Sequence, residues 1–216
     1  IVKPFPNGYI IENHEDGVKV ISSNGDIVYE TYKDVKFCNR KGYIYEIDEY
    51  GRYSIINLET GENEKTLPKN EIVKGYIAGF WIIGVEVKNE NGVVSGYGSY
   101  YYLLDENYQV GADGIIFNTI EYNNNLLDDE DDYIYGARDF NYTMYNRDGI
   151  EERSHDGGAV IISNGKILYI TSENSRVTRV KDNIAQISFY NDELERVYVS
   201  LKGPDKGQFV KVDENE

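Results

Sequence analysis

The chain has 216 residues, 40% of them hydrophobic, with 21 Tyr and 7 Phe but only 4 Pro. That content excludes a disordered chain, and the length suits one all-β domain with a sizeable core or two small ones; evenly spread repeats favour a single domain, residues 1–216. Its 22 Lys and Arg stand against 38 Asp and Glu, a net charge of −16, so its field repels phosphate backbones and excludes nucleic acid as a natural partner.

The chain opens at Ile1 rather than Met and carries Pro4 and Pro6, which is read as the trace of a removed export signal or upstream domain. Six hairpins follow in order. Tyr9-Ile10-Ile11 pairs with Val18 to Ile21 across Glu15-Asp16-Gly17, and Tyr43-Ile44-Tyr45 pairs with Tyr53 to Ile56 across Glu49-Tyr50-Gly51. Cys38, between them, is the single cysteine, so neither an intrachain disulfide nor a Cys-based metal site can form. Asn70 to Gly75 offers one helical turn at most.

The third hairpin joins Trp81 to Val85 with Tyr100 to Leu104 through an insertion carrying Asn91-Gly92, and the fourth joins Tyr133-Ile134-Tyr135 with Tyr142 to Tyr145. The fifth sets Val160-Ile161-Ile162 against Ile167 to Ile170 around Asn164-Gly165, a strong two-residue hairpin signal because both positions must tolerate positive φ. The sixth sets Ala185 to Phe189 against Val197-Tyr198-Val199. Further short runs after each turn, such as Ile27-Val28-Tyr29 and Phe209-Val210, make three or four strands per unit with a loose period of about 36 residues. No run of about 18 apolar residues is present, so no membrane-spanning helix and no membrane insertion are expected.

Apolar residues stand at consecutive positions in Ile55-Ile56, Leu103-Leu104 and Val160-Ile161-Ile162. A strand with one wet face alternates, whereas a strand covered on both faces does not. The predicted fold is therefore all-β and β-propeller-like: five or six small antiparallel sheets built from repeated hairpins, each covering its neighbour.

Gly51-Arg52-Tyr53-Ser54-Ile55-Ile56-Asn57-Leu58-Glu59-Thr60-Gly61, with weaker copies starting at Gly17, Asn141 and Gly165, resembles the WG repeat of bacterial proteins. Tyr or an aliphatic residue stands in for that repeat's Trp, and Ser54 for its Gly. The resemblance implies a propeller-like β-repeat protein, and families of this look are exported or surface-attached interaction proteins, including lipoproteins.

Several residue groups carry possible chemistry. Asp128-Asp129-Glu130-Asp131-Asp132 could supply hard oxygen ligands to calcium, or form a solvated linker stretched by its own repulsion. His14 lies beside Glu15-Asp16 and His155 beside Asp156, arrangements open to base catalysis or to an ordinary turn. No nucleophile motif is present, so no catalytic residue, metal site or cofactor is assigned. Trp81, Tyr97, Tyr100 and Tyr102 are the candidate ligand-binding residues: on a strand Tyr100 and Tyr102 share a face and could form a platform for sugar rings, or pack into a core. Tyr100 to Asn107 resembles the aromatic phrase of choline- and glycan-binding cell-wall repeats, here in a single copy.

These features point to a monomeric, non-catalytic binding module at the cell surface or outside the cell, with a protein or carbohydrate partner. The alternatives are a polysaccharide-active enzyme using loop carboxylates such as Asp139 and Asp148, and a purely structural repeat.

Overall fold

The structure, a computed structural model, describes residues 3–4, 8–86, 100–123, 133–138, 141–145, 151–155, 157–163, 165–171, 173–181, 183–190 and 195–211. The described residues form five antiparallel sheets and one turn of 3-10 helix, Ala112–Gly114. This is the all-β, hairpin-built class expected from the repeated apolar runs.

The chain divides into two compact units. The first comprises Ile1–Ile77, Trp81–Ser99 and Glu106–Tyr108. It opens with a four-stranded sheet of β1 (Lys3–Pro4), β2 (Tyr9–His14), β3 (Gly17–Ser22) and β4 (Ile27–Thr31). A second such sheet follows, of β5 (Asp34–Phe37), β6 (Tyr43–Ile47), β7 (Tyr53–Asn57) and β8 (Asn63–Thr66). Strands β9 (Glu71–Ile77) and β10 (Phe80–Val85) form the next hairpin. Of the Asn70 to Gly75 segment, which by its sequence offers one helical turn at most, Glu71 to Gly75 is thus strand. Val73, Gly75 and Ile77 bury alternate positions along it, and β-branched Ile72 and Val73 suit the pleat.

The second unit comprises Ala78–Phe80, Tyr100–Asp105 and Gln109–Glu216. Its strands are β11 (Tyr100–Leu104), β12 (Phe117–Asn123), β13 (Tyr133–Arg138), β14 (Asn141–Tyr145), β15 (Glu151–His155), β16 (Gly158–Ser163), β17 (Lys166–Ile170), β18 (Ser175–Lys181), β19 (Ile184–Phe189) and β20 (Arg196–Ser200). Here the fourth expected hairpin is corrected: β13 pairs with β12 and β16, while β14 pairs with β15. Pairing with β16 sets Ile134 opposite Ile162 and Gly136 opposite Val160, all buried. Polar Asn141 and Thr143 offer β13 no such apolar partners. The other hairpins within the described units, β2 with β3, β6 with β7, β16 with β17 and β19 with β20, pair as the sequence implies.

Within each unit, sheets cover one another. Val20 of β3 packs with Val35, Ile44, Ile56 and Leu58 of the following sheet segment, and Tyr9, Ile11, Val28 and Tyr29 close over them. In the second unit Ala159 and Ile161 pack with Ala185, Ile187, Phe189 and Val199. Inner strands are buried on both faces, as in β10 and β16, whereas β8 is nearly all exposed. Each unit therefore stacks propeller-like sheets with dry inner strands and a wet outer one, the pattern that consecutive apolar residues encode.

Candidate functional site

Trp81 is fully buried and so stands outside any exposed platform. It is the hub of a ring cluster in the first unit. Tyr43 and Tyr76 meet it edge-on at centroid separations of 5.6 and 4.9 Å, and Tyr108 stacks on it at 6.1 Å. The Arg40 guanidinium lies 4.3 Å from the Tyr43 ring centroid, 4.6 Å from that of Tyr76 and 5.4 Å from that of Trp81, within cation–π range of all three. Glu64 completes the cluster. It accepts from the Tyr108 hydroxyl and from Asn57 Nδ2 at 2.7 Å. Burial pushes the Glu64 carboxyl up, but the hydrogen bonds from Tyr108, Asn57 and Tyr43, with the charge of Arg40, outweigh it and hold the group below the carboxylate range. Burial, then the Glu64 contact, pushes the Tyr108 hydroxyl well above its ordinary value. Trp81 Nε1 and Arg40 Nη1 are buried without a hydrogen-bond partner among the described residues.

Tyr100 and Tyr102 lie on one face of β11 in the second unit, each half-buried. Tyr97 lies outside the described residues, as do the acidic run at 128–132, Asp139, Asp148 and Asp156. His14 is exposed and contacts Glu12 at 3.3 Å, and His155 sits in β15 opposite Asn141. Cys38 is buried, which pushes its thiol up to about 11. Among the described residues no group of three or more His, Cys, Asp or Glu could hold a metal ion, and no helix is long and apolar enough to cross a membrane.

The opposite strand ends of the first unit carry a feature that the aromatic count did not single out. Tyr32, in the connection from β4 to β5, is 91% exposed. Asp34 pairs with Ile47, so this connection reaches the same sheet end as the β6–β7 turn, where Tyr50 is 58% exposed. The β2–β3 turn is there too, because a Cβ on Gly17 would lie 2.5 Å from the Thr31 carbonyl oxygen and 3.5 Å from the Tyr32 ring.

Polar contacts brace both tyrosines. Glu46 is buried in β6 and accepts from the Tyr29 hydroxyl at 3.0 Å, from the Thr31 hydroxyl and from the Lys33 ammonium. Thr31 Oγ1 also accepts the Lys33 backbone N–H at 3.2 Å. Tyr32 therefore projects from a segment tied on both sides to one carboxylate. Burial pushes Glu46 up, but its bonds from Lys33, Thr31 and Tyr29 more than offset this and leave it below its ordinary value. Burial and the Glu46 contact push Tyr29 up to about 12. In the neighbouring turn Asp48 Oδ1 accepts the backbone N–H groups of Tyr50 and Arg52, both at 2.9 Å. Its Oδ2 takes Arg52 Nε at 2.7 Å, and the guanidinium lies 5.5 Å from the Tyr50 ring centroid. The Arg52 backbone bond first, then its side chain and the Tyr50 N–H, hold the Asp48 carboxyl low. The sequence signal for this end was an aromatic between polar residues, Thr31-Tyr32-Lys33-Asp34, outside any apolar run.

No family model matches the chain, and no curated relative matches it. Solved structures that resemble it include a quinohemoprotein alcohol dehydrogenase, ADHIIG, from Pseudomonas putida HK5, at 12% identity over 89% of this chain and 37% of that one, with a TM-score of 0.35. The C-terminal WD40 domain of Sif2 matches at 11% identity over 90% of this chain and 64% of that one, TM-score 0.31. BamB from Moraxella catarrhalis matches at 10% identity over 94% and 71%, TM-score 0.27. The chain thus spans 37% of the dehydrogenase and 64% of the Sif2 domain.

Proposed function

We propose that this protein is a non-catalytic binding module, displayed at the cell surface or secreted, monomeric, and related to the propeller-like WG-repeat proteins. Its partner is a protein or a glycan, bound through the Tyr32 and Tyr50 end of the first unit. The observation that carries this reading is Tyr32: a large ring, 91% exposed, set between Thr31 and Lys33, whose side chains both reach Glu46. A rigid, exposed tyrosine offers contact area at little cost in conformational entropy.

Tyr100 and Tyr102, sharing one face of β11, supply a second contact set suited to a sugar ring. Two variants separate the sets. Tyr32→Ala with Tyr50→Ala, and Tyr100→Ala with Tyr102→Ala, are compared with wild type on peptide and glycan arrays, with circular dichroism confirming folding. The expected result is that the first pair abolishes the signal and the second leaves it. Retention of binding by the first pair and loss in the second would move the site to β11, and a wild-type protein silent on both arrays would remove the reading.

A further inference from the structure

We infer that the partner of the Tyr32 end is an arginine-bearing polypeptide segment, an inference that rests on the binding-module reading above. Two independent observations lead there. The first is what this molecule does with its tyrosine faces. Arg40 covers Tyr43 and Tyr76, Arg52 covers Tyr50, and Arg176 covers Tyr190 at 5.1 Å, while Lys36 lies farther off, 6.0 Å from the Tyr53 ring centroid. Among the described residues no cation lies over Tyr32, the most exposed of the large hydrophobic side chains.

The second is the charge of the three segments that meet at this end. Lys33 and Arg52 are the cations of the Tyr32–Lys33 connection and the Asp48–Arg52 turn, and both are already committed, to Glu46 and Asp48. Glu15, Asp16, Asp34 and Glu49 are exposed and, among the described residues, take part in no ion pair. The surface therefore offers an uncovered ring flanked by surplus carboxylates. A guanidinium suits both at once, its flat, weakly hydrated plane on the ring and its two-pronged N–H fork on a carboxylate, where an ammonium offers only a point charge and a neutral sugar no charge at all.

The test is fluorescence anisotropy at near-physiological salt, with a labelled peptide alternating Arg and Gly as probe and its Lys and Glu counterparts as controls. Because a chain of charge −16 attracts any polycation, the variants are matched in charge. Glu15→Gln with Glu49→Gln removes two carboxylates from this end, and Glu59→Gln with Glu62→Gln removes two exposed ones from the β7–β8 turn, at the far end of the same strands. The inference expects about tenfold weaker Arg-peptide binding for the first pair and for Tyr32→Ala, and less than about twofold for the second pair. Tighter binding of the Arg than the Lys peptide is expected as well. Equal weakening by both pairs, or equal affinity for Arg and Lys peptides, would reduce the effect to bulk charge and overturn it. No Arg-peptide binding while array ligands still need Tyr32 would overturn the partner class and leave the module reading standing. Failure of both would take both away.

Discussion

The two strand ends of the first unit use tyrosine in opposite ways. At one end Tyr43, Tyr76 and Tyr108 surround a fully buried Trp81, and Arg40 and Glu64 supply the charges that their faces and hydroxyls can use. At the other end Tyr32 and Tyr50 stand in solvent, and the polar groups beside them chiefly fix the loops that carry them, Arg52 also reaching the Tyr50 ring. Both ends hold tyrosines and a carboxylate, and they differ in what that carboxylate meets: Glu64 takes the hydroxyl of Tyr108, a ring of the cluster itself, whereas Glu46 takes the side chains of Thr31 and Lys33 that flank Tyr32 and the hydroxyl of Tyr29.

If that distinction is right, the largest loss of stability comes from the packed end. Trp81→Ala removes the ring that four neighbours share and should cost about 3–5 kcal/mol, read as a lower denaturation midpoint. Trp81→Phe sharpens the point. Nε1 has no partner to lose, so the cost should fall to about 1–2 kcal/mol, and a loss as large as that of Ala would show that the indole N–H is satisfied after all.

Next in size is Gly17→Ala. Gly17 has φ +137, a region L side chains rarely adopt, and the new Cβ would meet the Thr31 carbonyl oxygen at 2.5 Å, so backbone has to move. About 2–3 kcal/mol of destabilisation is expected, with weakened binding at Tyr32 because the displaced strand end is the one that carries it. Full affinity in a destabilised Gly17→Ala protein would separate display from bracing and count against the comparison.

The packed end was partly legible in the sequence and the displayed end hardly at all. Consecutive apolar residues such as Ile55-Ile56 report burial on both faces, and Asn, Asp and Gly report turns, so the sheets could be read off locally. Strand order could not, because β13 chooses among partners far away in sequence, and it takes β16 over the adjacent β14 for the sake of buried contacts. Trp81 is conspicuous by its residue type, yet its burial depends not only on Tyr76 in the same hairpin but on Tyr43 and Tyr108, both distant in sequence. Tyr32 stands between polar residues, a local sign of a ring outside the apolar runs, but how far it is exposed depends on what fails to pack against it, which is decided away from the local sequence.

Glu46→Gln should be smaller again, about 1–2 kcal/mol at neutral pH, since Lys33 is 47% exposed and its attraction is screened, while the amide keeps one acceptor for Tyr29 or Thr31. Its pH dependence carries the information. The Glu46 carboxyl lies below its ordinary value of 4.5 in the folded protein, so its contribution is present above that pH and disappears as the pH falls through the folded value. Wild type and Glu46→Gln should therefore differ at pH 7 and converge in acid. Parallel curves down to strongly acidic pH would show that Glu46 is not the charged brace.

The smallest expected change in stability accompanies the largest change in binding. Tyr32→Ala removes a ring that is 91% exposed and leaves Thr31, Lys33 and Glu46 in place, so the denaturation midpoint should move by no more than about 0.5 kcal/mol. Tyr43→Ala is the matched substitution at the other end, where the ring has Arg40 on its face and Trp81 at its edge, and it should cost about 3 kcal/mol or more. The comparison thus reduces to one pair of midpoints from the same substitution at two tyrosines. A Tyr32→Ala protein as unstable as Tyr43→Ala would mean that the exposed ring is part of the packing, and the surface proposed for a partner would then be an ordinary edge of the fold.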